Sequence, residues 1–256
     1  MLNIVIPMAG AGSRFAKAGY SDPKPLIKIH DVAMVNIVVN NLKPTCPHKF
    51  IFIIQRAHDE KYNLTSQLKE WESDCEVIYA DGLTEGAACT VLLAKHLINN
   101  NDQLMIANSD QFVDCHIDDY LRAMDENQYD GMIMTMEADD PKWSYVGFDA
   151  NGKVNRVVEK AVISKEATVG IYNFQKGCDF VNAAEQMIRD NERVNGEYYV
   201  APAYNYLIEN GSKIGIYNIG SEANGMYGLG IPADLDLFLN LELSYKAAQG
   251  IKNGNY

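Results

Sequence analysis

Short apolar segments alternate with helical patterns along the first half of this chain, and this alternation limits the fold more than any other feature. Helical spacing is found at 34–42, 63–71, 86–98 and 117–127. Because short buried strands that alternate with helices form a mainly parallel sheet covered on both faces, we predict an α/β fold with helices flanking a central sheet. The predicted strands lie at 2–7, 50–55, 76–80, 104–108 and 131–137.

The pattern changes after Pro141, where "WSYVGFDANGKVNRVVEK" predicts a β-hairpin with Asn151-Gly152 as its turn. No linker separates the two parts, so we expect one domain over 1–256. Within it we predict a first lobe at 1–140, a smaller α+β lobe at 141–225 and a closing strand and helix at 226–256. The other elements predicted here are a strand at 168–174, helices at 179–189 and 197–210, a strand at 213–218 and a last helix from Ala233 past Tyr245.

The formal net charge of -12 and the pI of about 4.8 argue against a nucleic-acid or anionic-membrane partner. A small anion is not excluded, since lysines, arginines and backbone N–H groups can hold one locally.

No apolar run approaches the ~18 residues that span a bilayer, and the first 20 residues do not resemble a signal peptide, so we expect a cytoplasmic protein. No C-x-x-C or histidine spacing of a zinc site occurs among the cysteines (46, 75, 89, 115, 178) and histidines (30, 48, 58, 96, 116).

The loop "MAGAGSRF" after the first strand carries two glycines that allow close approach to a phosphate. The same glycines would also suit an ordinary strand-to-helix turn. A P-loop requires G-K-[ST], but this loop ends in Ser13-Arg14. A dinucleotide fingerprint requires glycine where Phe15 stands and an acid after the second strand, where Gln55 and Arg56 stand, which argues against NAD. The candidate phosphate-binding residues are Ala9, Gly10, Ala11, Gly12 and Ser13.

Lys24 stands between Pro23 and Pro25, an unusual setting for a surface lysine. Proline fixes its own φ and pushes the preceding residue into an extended conformation. A lysine held in this way loses less freedom when it binds a phosphate. Together with Arg14 it gives one loop two cationic side chains, and we therefore predict that the loop binds a nucleoside triphosphate.

The order Gly-x-Gly-[Ser/Thr]-Arg, then Pro-Lys-x-Leu, resembles the signature of the nucleotidylyltransferases, the sugar-phosphate pyrophosphorylases. The resemblance covers nearly the whole chain, and it implies a nucleotide-binding, Rossmann-like fold with an NTP lobe followed by an acceptor lobe. Ile231 replaces a threonine of the closing motif. The further similar segments are "LTEGAACTVLLAKHLI", "MIANSDQFVD", "RVVEKAVISKEATVGIYNF", "NGEYYVAPAYNYLIENG" and "YGLGIPADLDLFL".

The resemblance implies transfer of an NMP group from an NTP to a small phosphorylated acceptor, with release of pyrophosphate. It assigns catalysis to Arg14, Lys24 and Asp110, with Asp110 also binding Mg²⁺, whose preferred ligands are such oxygens and substrate phosphates. The nucleobase segment would contribute Thr84, Gly86 and Ala87. Acceptor binding would fall to Glu159, Lys160, Gly170 and Glu197.

One position departs from the family pattern. The second metal carboxylate of the family precedes the closing Gly-Thr-Pro by two residues, and here that position is Gly228. Either Asp110 and the phosphates hold the metal alone, or another acid such as Glu222 or Asp234 substitutes.

Other interpretations stay open at this stage. Asp110 also fits a turn or helix-cap acid, and Glu159-Lys160 also fits an exposed charged pair. A glycosyltransferase that uses a nucleotide-sugar and a non-catalytic binding module are the rival functions. The resemblance favours a pyrimidine base and a sugar 1-phosphate, with phosphocholine or another non-sugar phosphate as alternatives. Homo-oligomerisation is left open.

Overall fold

The structure is a computed structural model that describes residues 1–253. Its strands, in chain order, are β1 (Leu2–Pro7), β2 (Lys28–Ile29), β3 (Val32–Ala33), β4 (His48–Gln55), β5 (Glu76–Ala80), β6 (Gln103–Ala107), β7 (Gln111–Val113), β8 (Gly131–Glu137), β9 (Ser144–Phe148), β10 (Val154–Glu159), β11 (Glu166–Phe174), β12 (Ile214–Glu222) and β13 (Gly225–Gly228). Its helices are α1 (Ser13–Lys17), α2 (Met34–Leu42), α3 (Arg56–Tyr62), α4 (Leu64–Trp71), α5 (Ala87–Leu92), α6 (Lys95–Ile98), α7 (Ile117–Glu126), α8 (Gly177–Arg189), α9 (Ala203–Glu209), α10 (Pro232–Leu239) and α11 (Glu242–Lys252).

One large sheet organises the molecule, with strand order β5-β4-β1-β6-β11-β8-β12-β13-β7. The first four strands of this order run parallel, and β12 is parallel to both β8 and β13. β11 runs antiparallel to its neighbours β6 and β8. The predicted α/β fold with a mainly parallel sheet is therefore confirmed.

The central strands are mostly apolar on both faces because both faces of the sheet are covered. Ile4 and Ile6 of β1 pack into one hydrophobic cluster, while Val5 between them packs into the other. Successive side chains of a strand point to opposite faces, so the two clusters lie on the two sides of the sheet.

The segment 141–225 does not form a separate sheet. Its strand β11 lies between β6 and β8, both of which belong to 1–140. The hairpin β9–β10 joins the sheet where Tyr145 pairs with Ala167. The two predicted lobes thus share one sheet, and their separate substrate roles stay a prediction.

Three predicted helices are wrong in extent. The segment 86–98 forms α5 and α6, because Leu93 and Ala94 donate to carbonyls three residues back and interrupt the helix. The helix predicted at 197–210 begins only at Ala203, and the last predicted helix is divided at Asn240. The sequence pattern also missed α3, which has no buried residue and therefore no apolar periodicity.

Within residues 1–253, no helix has both the length and the apolar character needed to cross a membrane.

Candidate active site

Two loops meet at the carboxyl ends of β1 and β6, which are parallel neighbours. Ligands of open α/β sheets bind at this edge. The first loop leads to Lys24, and the second leads to Asp110, three residues beyond the end of β6. The Lys24 ammonium donates a hydrogen bond of 2.8 Å to Oδ2 of Asp110. Both side chains keep some exposure, at 23% and 28%, so they face the site without being buried in the core.

Local backbone geometry fixes Lys24 against the glycine loop. Pro23 is extended, with ψ of 148°, and Lys24–Leu26 forms a single 3-10 turn whose Leu26 N–H donates to the Pro23 carbonyl. Gly12 has φ of +59° and precedes α1, and a Cβ built on it would lie 3.7 Å from Cβ of Lys24. The two flanking prolines predicted a lysine with restricted freedom, and the structure shows Lys24 held close to the glycine loop.

A cavity of about 340 Å³, here called the loop cavity, lies beside the glycine loop. Helix α3, which the sequence pattern did not predict, contributes side chains to this cavity. His58 of α3 has its Nδ1 buried without a partner among residues 1–253, and burial together with the charge of Lys61 lowers its pKa. The polar or loop residues around this cavity include Gly10, Ala11, Gly12, Lys24, His58, Lys61, Tyr62 and Ser109.

A second cavity of about 410 Å³, here called the acceptor-side cavity, gathers all four residues predicted to bind the acceptor. These are Glu159, Lys160, Gly170 and Glu197. Arg14 and Ala87, both predicted to contact the NTP, also line this cavity and not the loop cavity. The other lining residues include Asn108, Lys142, Trp143, Ser144, Tyr172 and Tyr199.

Glu159 and Lys160 have different environments although they are adjacent. Glu159 is only 9% exposed, and the Ser144 hydroxyl donates to its carboxylate. Burial raises the pKa of Glu159, with the charge of Glu197 adding to the effect. Lys160 has φ of +56° and donates to the Tyr199 hydroxyl at 2.7 Å, a hydrogen bond that raises the pKa of Lys160. The pair is therefore not two equivalent exposed charges.

Backbone hydrogen bonds join the segment predicted to bind the nucleobase to the segment predicted to bind the acceptor. Tyr198 donates its N–H to Glu85 at 2.8 Å, and Ala88 donates to the Tyr198 carbonyl at 3.0 Å. Gly86 has φ of +125°, and a Cβ there would lie 2.4 Å from the Tyr198 carbonyl oxygen. Thr84 donates its hydroxyl back to the Gly86 carbonyl, so this side chain stabilises the loop.

Carboxylates and glycines lie together at the end of β13. A Cβ built on Gly230 would lie 2.6 Å from Oδ2 of Asp110, and one built on Gly228 would lie 3.0 Å from Oδ2 of Asp234. Burial raises the pKa of Asp234, and the charges of Glu222 and Asp110 add to the effect. These hard oxygen donors fit Mg²⁺. The two glycines leave the space beside the carboxylates free of side chains.

The segment 108–110 connects the two cavities. Asn108 lines the acceptor-side cavity, Ser109 lines the loop cavity, and Asp110 binds Lys24. A mainly parallel sheet with a glycine loop, a fixed lysine and a carboxylate at its strand ends defines an α/β nucleotide-binding protein. The family model described as nucleotidyl transferase matches residues 4–213, and the chain belongs to that family. The family resemblance and the class of enzyme predicted from the sequence are confirmed.

Two curated relatives show the extent of the sequence similarity. The bifunctional protein GlmU of Lactobacillus gasseri is 25% identical over 226 residues, which cover 84% of this chain and 46% of that protein. The mannose-1-phosphate guanylyltransferase catalytic subunit beta of Dictyostelium discoideum is 22% identical over 180 residues, covering 68% of this chain and 49% of the relative. The chain thus spans about half the length of the curated relatives it matches.

Solved structures match over nearly their whole length. A nucleoside-diphosphate-sugar pyrophosphorylase from Vibrio cholerae RC9 superposes with a TM-score of 0.78 at 27% identity, covering 93% of this chain and 100% of that one. A putative glucose-1-phosphate thymidylyltransferase from Bacillus anthracis gives a TM-score of 0.73 at 18% identity, covering 93% of each chain. The second likeness, at its low identity, supports the fold alone.

Proposed function

We propose that this protein transfers an NMP group from a nucleoside triphosphate to a sugar 1-phosphate or a similar small phosphorylated acceptor. The observation that carries the proposal is the segment 108–110, which borders both cavities and contacts Lys24 through Asp110. Two phosphate-bearing substrates can bind on opposite sides of this segment. Their reacting groups would then meet near the contact between Lys24 and Asp110.

In this reaction an acceptor phosphate oxygen forms a bond to the α-phosphorus, and the bond from that phosphorus to the leaving pyrophosphate breaks. The acceptor phosphate is already ionised near neutral pH, so no general base is needed. The difficulty lies in bringing several negative charges together, and catalysis therefore consists of positioning and charge neutralisation. Lys24 from the loop cavity and Arg14 from the acceptor-side cavity would neutralise the triphosphate, and Lys160 would bind the acceptor phosphate.

We also propose a requirement for Mg²⁺, with Asp110 as a protein ligand. No group of three or more histidine, cysteine, aspartate or glutamate side chains in residues 1–253 forms a metal cage. Mg²⁺ commonly binds through one or two carboxylates plus substrate phosphates, which fits a site built around Asp110. A metal there would neutralise charge on the phosphates, while Lys24 would be freed to contact them.

The nucleobase and the acceptor are proposed only as classes of compound. The family resemblance favours a pyrimidine, whereas one relative is named a guanylyltransferase, so the base is left to the substrate screen. Glu159 and Glu197 in the acceptor-side cavity would accept hydrogen bonds from acceptor hydroxyls. The same carboxylates, together with the aromatic rings of Trp143 and Tyr199, would also suit the quaternary ammonium of phosphocholine, so both acceptors belong in the panel. A cytoplasmic location stays a prediction.

A screen of four NTPs against a panel of phosphorylated acceptors, with Mg²⁺ and a pyrophosphate readout, tests the proposal. We expect pyrophosphate release only when one NTP and one acceptor are both present, so omission of the acceptor is the matched control. Transfer from an added nucleotide-sugar would instead indicate a glycosyltransferase. Substrate binding without turnover in every combination would indicate a binding module.

A further inference from the structure

Gly228 stands where the resemblance expects a second metal carboxylate, and the structure shows what fills the adjacent space. The three atoms nearest to a Cβ built on Gly228 all belong to Asp234: Oδ2 at 3.0 Å, and Cβ and Cγ at 3.6 Å. A side chain at position 228 would therefore enter the space that Asp234 occupies. Only one of the two positions, 228 or 234, can therefore place a carboxylate in this region.

Asp234 is the third residue of α10, where an acid commonly binds the first turn of its helix. Here no side-chain hydrogen bond caps α10. Within residues 1–253 the Asp234 carboxylate makes neither a hydrogen bond nor an ion pair, although it is half-buried. Burial and the charges of Glu222 and Asp110 raise its pKa, whereas Lys142 and Arg14 act in the opposite direction. A half-buried acid without a donor, close to other acids, is stabilised when a cation binds.

Asp110 and Asp234 lie against the same short stretch of backbone. Gly228 and Gly230 flank Leu229, which is buried in the core. Each glycine faces one of the two carboxylates, since Gly228 lies next to Asp234 and Gly230 lies next to Asp110. Asp110 and Asp234 therefore lie against two backbone positions that are two residues apart and carry no side chain.

Glu222 is the other acid that could compensate for Gly228, and its contacts argue against that role. Lys142 donates to both oxygens of Glu222, at 2.8 and 3.2 Å. Binding a metal would require this ion pair to break. Asp234 has no such partner to lose.

We propose that Asp234 is the second protein carboxylate for the Mg²⁺ that accompanies the NTP, in place of the side chain that Gly228 lacks. The inference rests on the proposed function. A carboxylate on the first turn of α10 would then bind the metal in place of the carboxylate that the family has at the end of β13. Asp110 and Asp234 would both bind the cation from beside the glycine pair.

The test uses Mn²⁺ as a spectroscopic substitute for Mg²⁺ and measures its dissociation constant by electron paramagnetic resonance, with the NTP selected in the screen present. We expect Asp234→Ala to weaken Mn²⁺ binding at least tenfold. Asp236→Ala is the matched control, because Asp236 lies on the same helix, is exposed, and its side chain makes no hydrogen bond or ion pair within residues 1–253. Melting temperatures of all variants check that the fold is intact.

A swap variant gives the sharper result. Gly228→Asp alone should disturb the site, because its side chain meets Asp234. Gly228→Asp combined with Asp234→Ala should recover most of the Mn²⁺ affinity that Asp234→Ala loses. Native Mn²⁺ affinity in Asp234→Ala, with a loss only in Asp110→Asn, would overturn the inference while leaving the proposed function standing. Absence of Mn²⁺ binding by the native protein with NTP would instead reject the metal-dependent function itself and this inference with it.

Discussion

The Lys24 ammonium and the Asp110 carboxylate are joined at 2.8 Å, although 86 residues separate them in the chain. Each holds the other in the site before any substrate binds. A triphosphate with its metal would offer each a new partner, a phosphate for Lys24 and a cation for Asp110. The ion pair therefore holds in place two groups that would bind different partners during the reaction. Because both side chains keep partial exposure, we expect the pair to add only ~1 kcal/mol or less to stability.

We predict that Lys24→Ala lowers kcat/KM by about a hundredfold, the effect of removing one charged donor from a developing oxyanion. The free energy of unfolding should fall by no more than ~1 kcal/mol. Lys17→Ala is the control, since Lys17 is an exposed lysine on α1. Steady-state kinetics and denaturant titration of both variants decide the matter. Equal kinetics in the two variants would remove Lys24 from the site.

Lys160→Ala should weaken the acceptor and spare the NTP. The expected loss is that of one charge-assisted contact, about 1.5–3 kcal/mol in kcat/KM for the acceptor. Tyr199→Phe removes only the hydroxyl that holds the ammonium, so its effect should be smaller and of the same kind. Arg14→Ala should reduce NTP affinity first, as measured by calorimetry with NTP alone. An equal loss of NTP affinity in Lys160→Ala would show that Lys160 reaches the triphosphate.

Gly86→Ala should destabilise the fold by more than ~2 kcal/mol. The backbone has φ of +125°, and the added methyl group would lie 2.4 Å from a backbone oxygen that cannot rotate away. Gly82→Ala is the control, because a Cβ there meets nothing within 4 Å, and its effect should stay within ~0.5 kcal/mol. Denaturant unfolding measures both variants. Similar stabilities would mean that the approach of Gly86 to Tyr198 is not maintained in solution.

Glu159→Gln should change how stability depends on pH. Burial raises the pKa of Glu159 in the folded state, so the protonated form favours folding. Its contribution is fully present below the usual glutamate pKa and is lost as the pH rises through the raised value. The glutamine variant should therefore gain stability relative to the native protein as the pH rises. Denaturant unfolding between pH 4 and pH 8 tests this, with the exposed Glu70→Gln as control; a parallel pH dependence in all three proteins would contradict it.

The sequence predicted most of the sheet because buried parallel strands are continuous apolar runs. β1, β5 and β8 have the bounds that the pattern indicates. The pattern could not predict that β11 enters the sheet between β6 and β8, since strand order depends on pairing between distant segments. It also missed β7, which is too short for a periodicity, whereas β13 falls at the start of the closing strand predicted within 226–256.

The predicted site residues came from local chemistry and resemblance, and the structure adds the contacts between them. The proline-flanked Lys24 was visible in the sequence, but its bond to Asp110 depends on the parallel pairing of β1 and β6. Lys142 and Ser144 carried no motif of their own. The choice between Glu222 and Asp234 also required the fold, because only spatial contacts reveal that Lys142 already engages Glu222.

The most direct test of the central claim is ³¹P nuclear magnetic resonance of a reaction containing the protein, Mg²⁺, the selected NTP and its phosphorylated acceptor. We predict that the acceptor phosphate resonance converts into a pair of coupled diphosphate-diester resonances while free pyrophosphate appears in equal amount. The same mixture with Lys24→Ala should convert far more slowly. Release of inorganic phosphate or nucleoside diphosphate, with the acceptor resonance unchanged, would contradict the proposal that this protein is a nucleotidyltransferase acting on that acceptor.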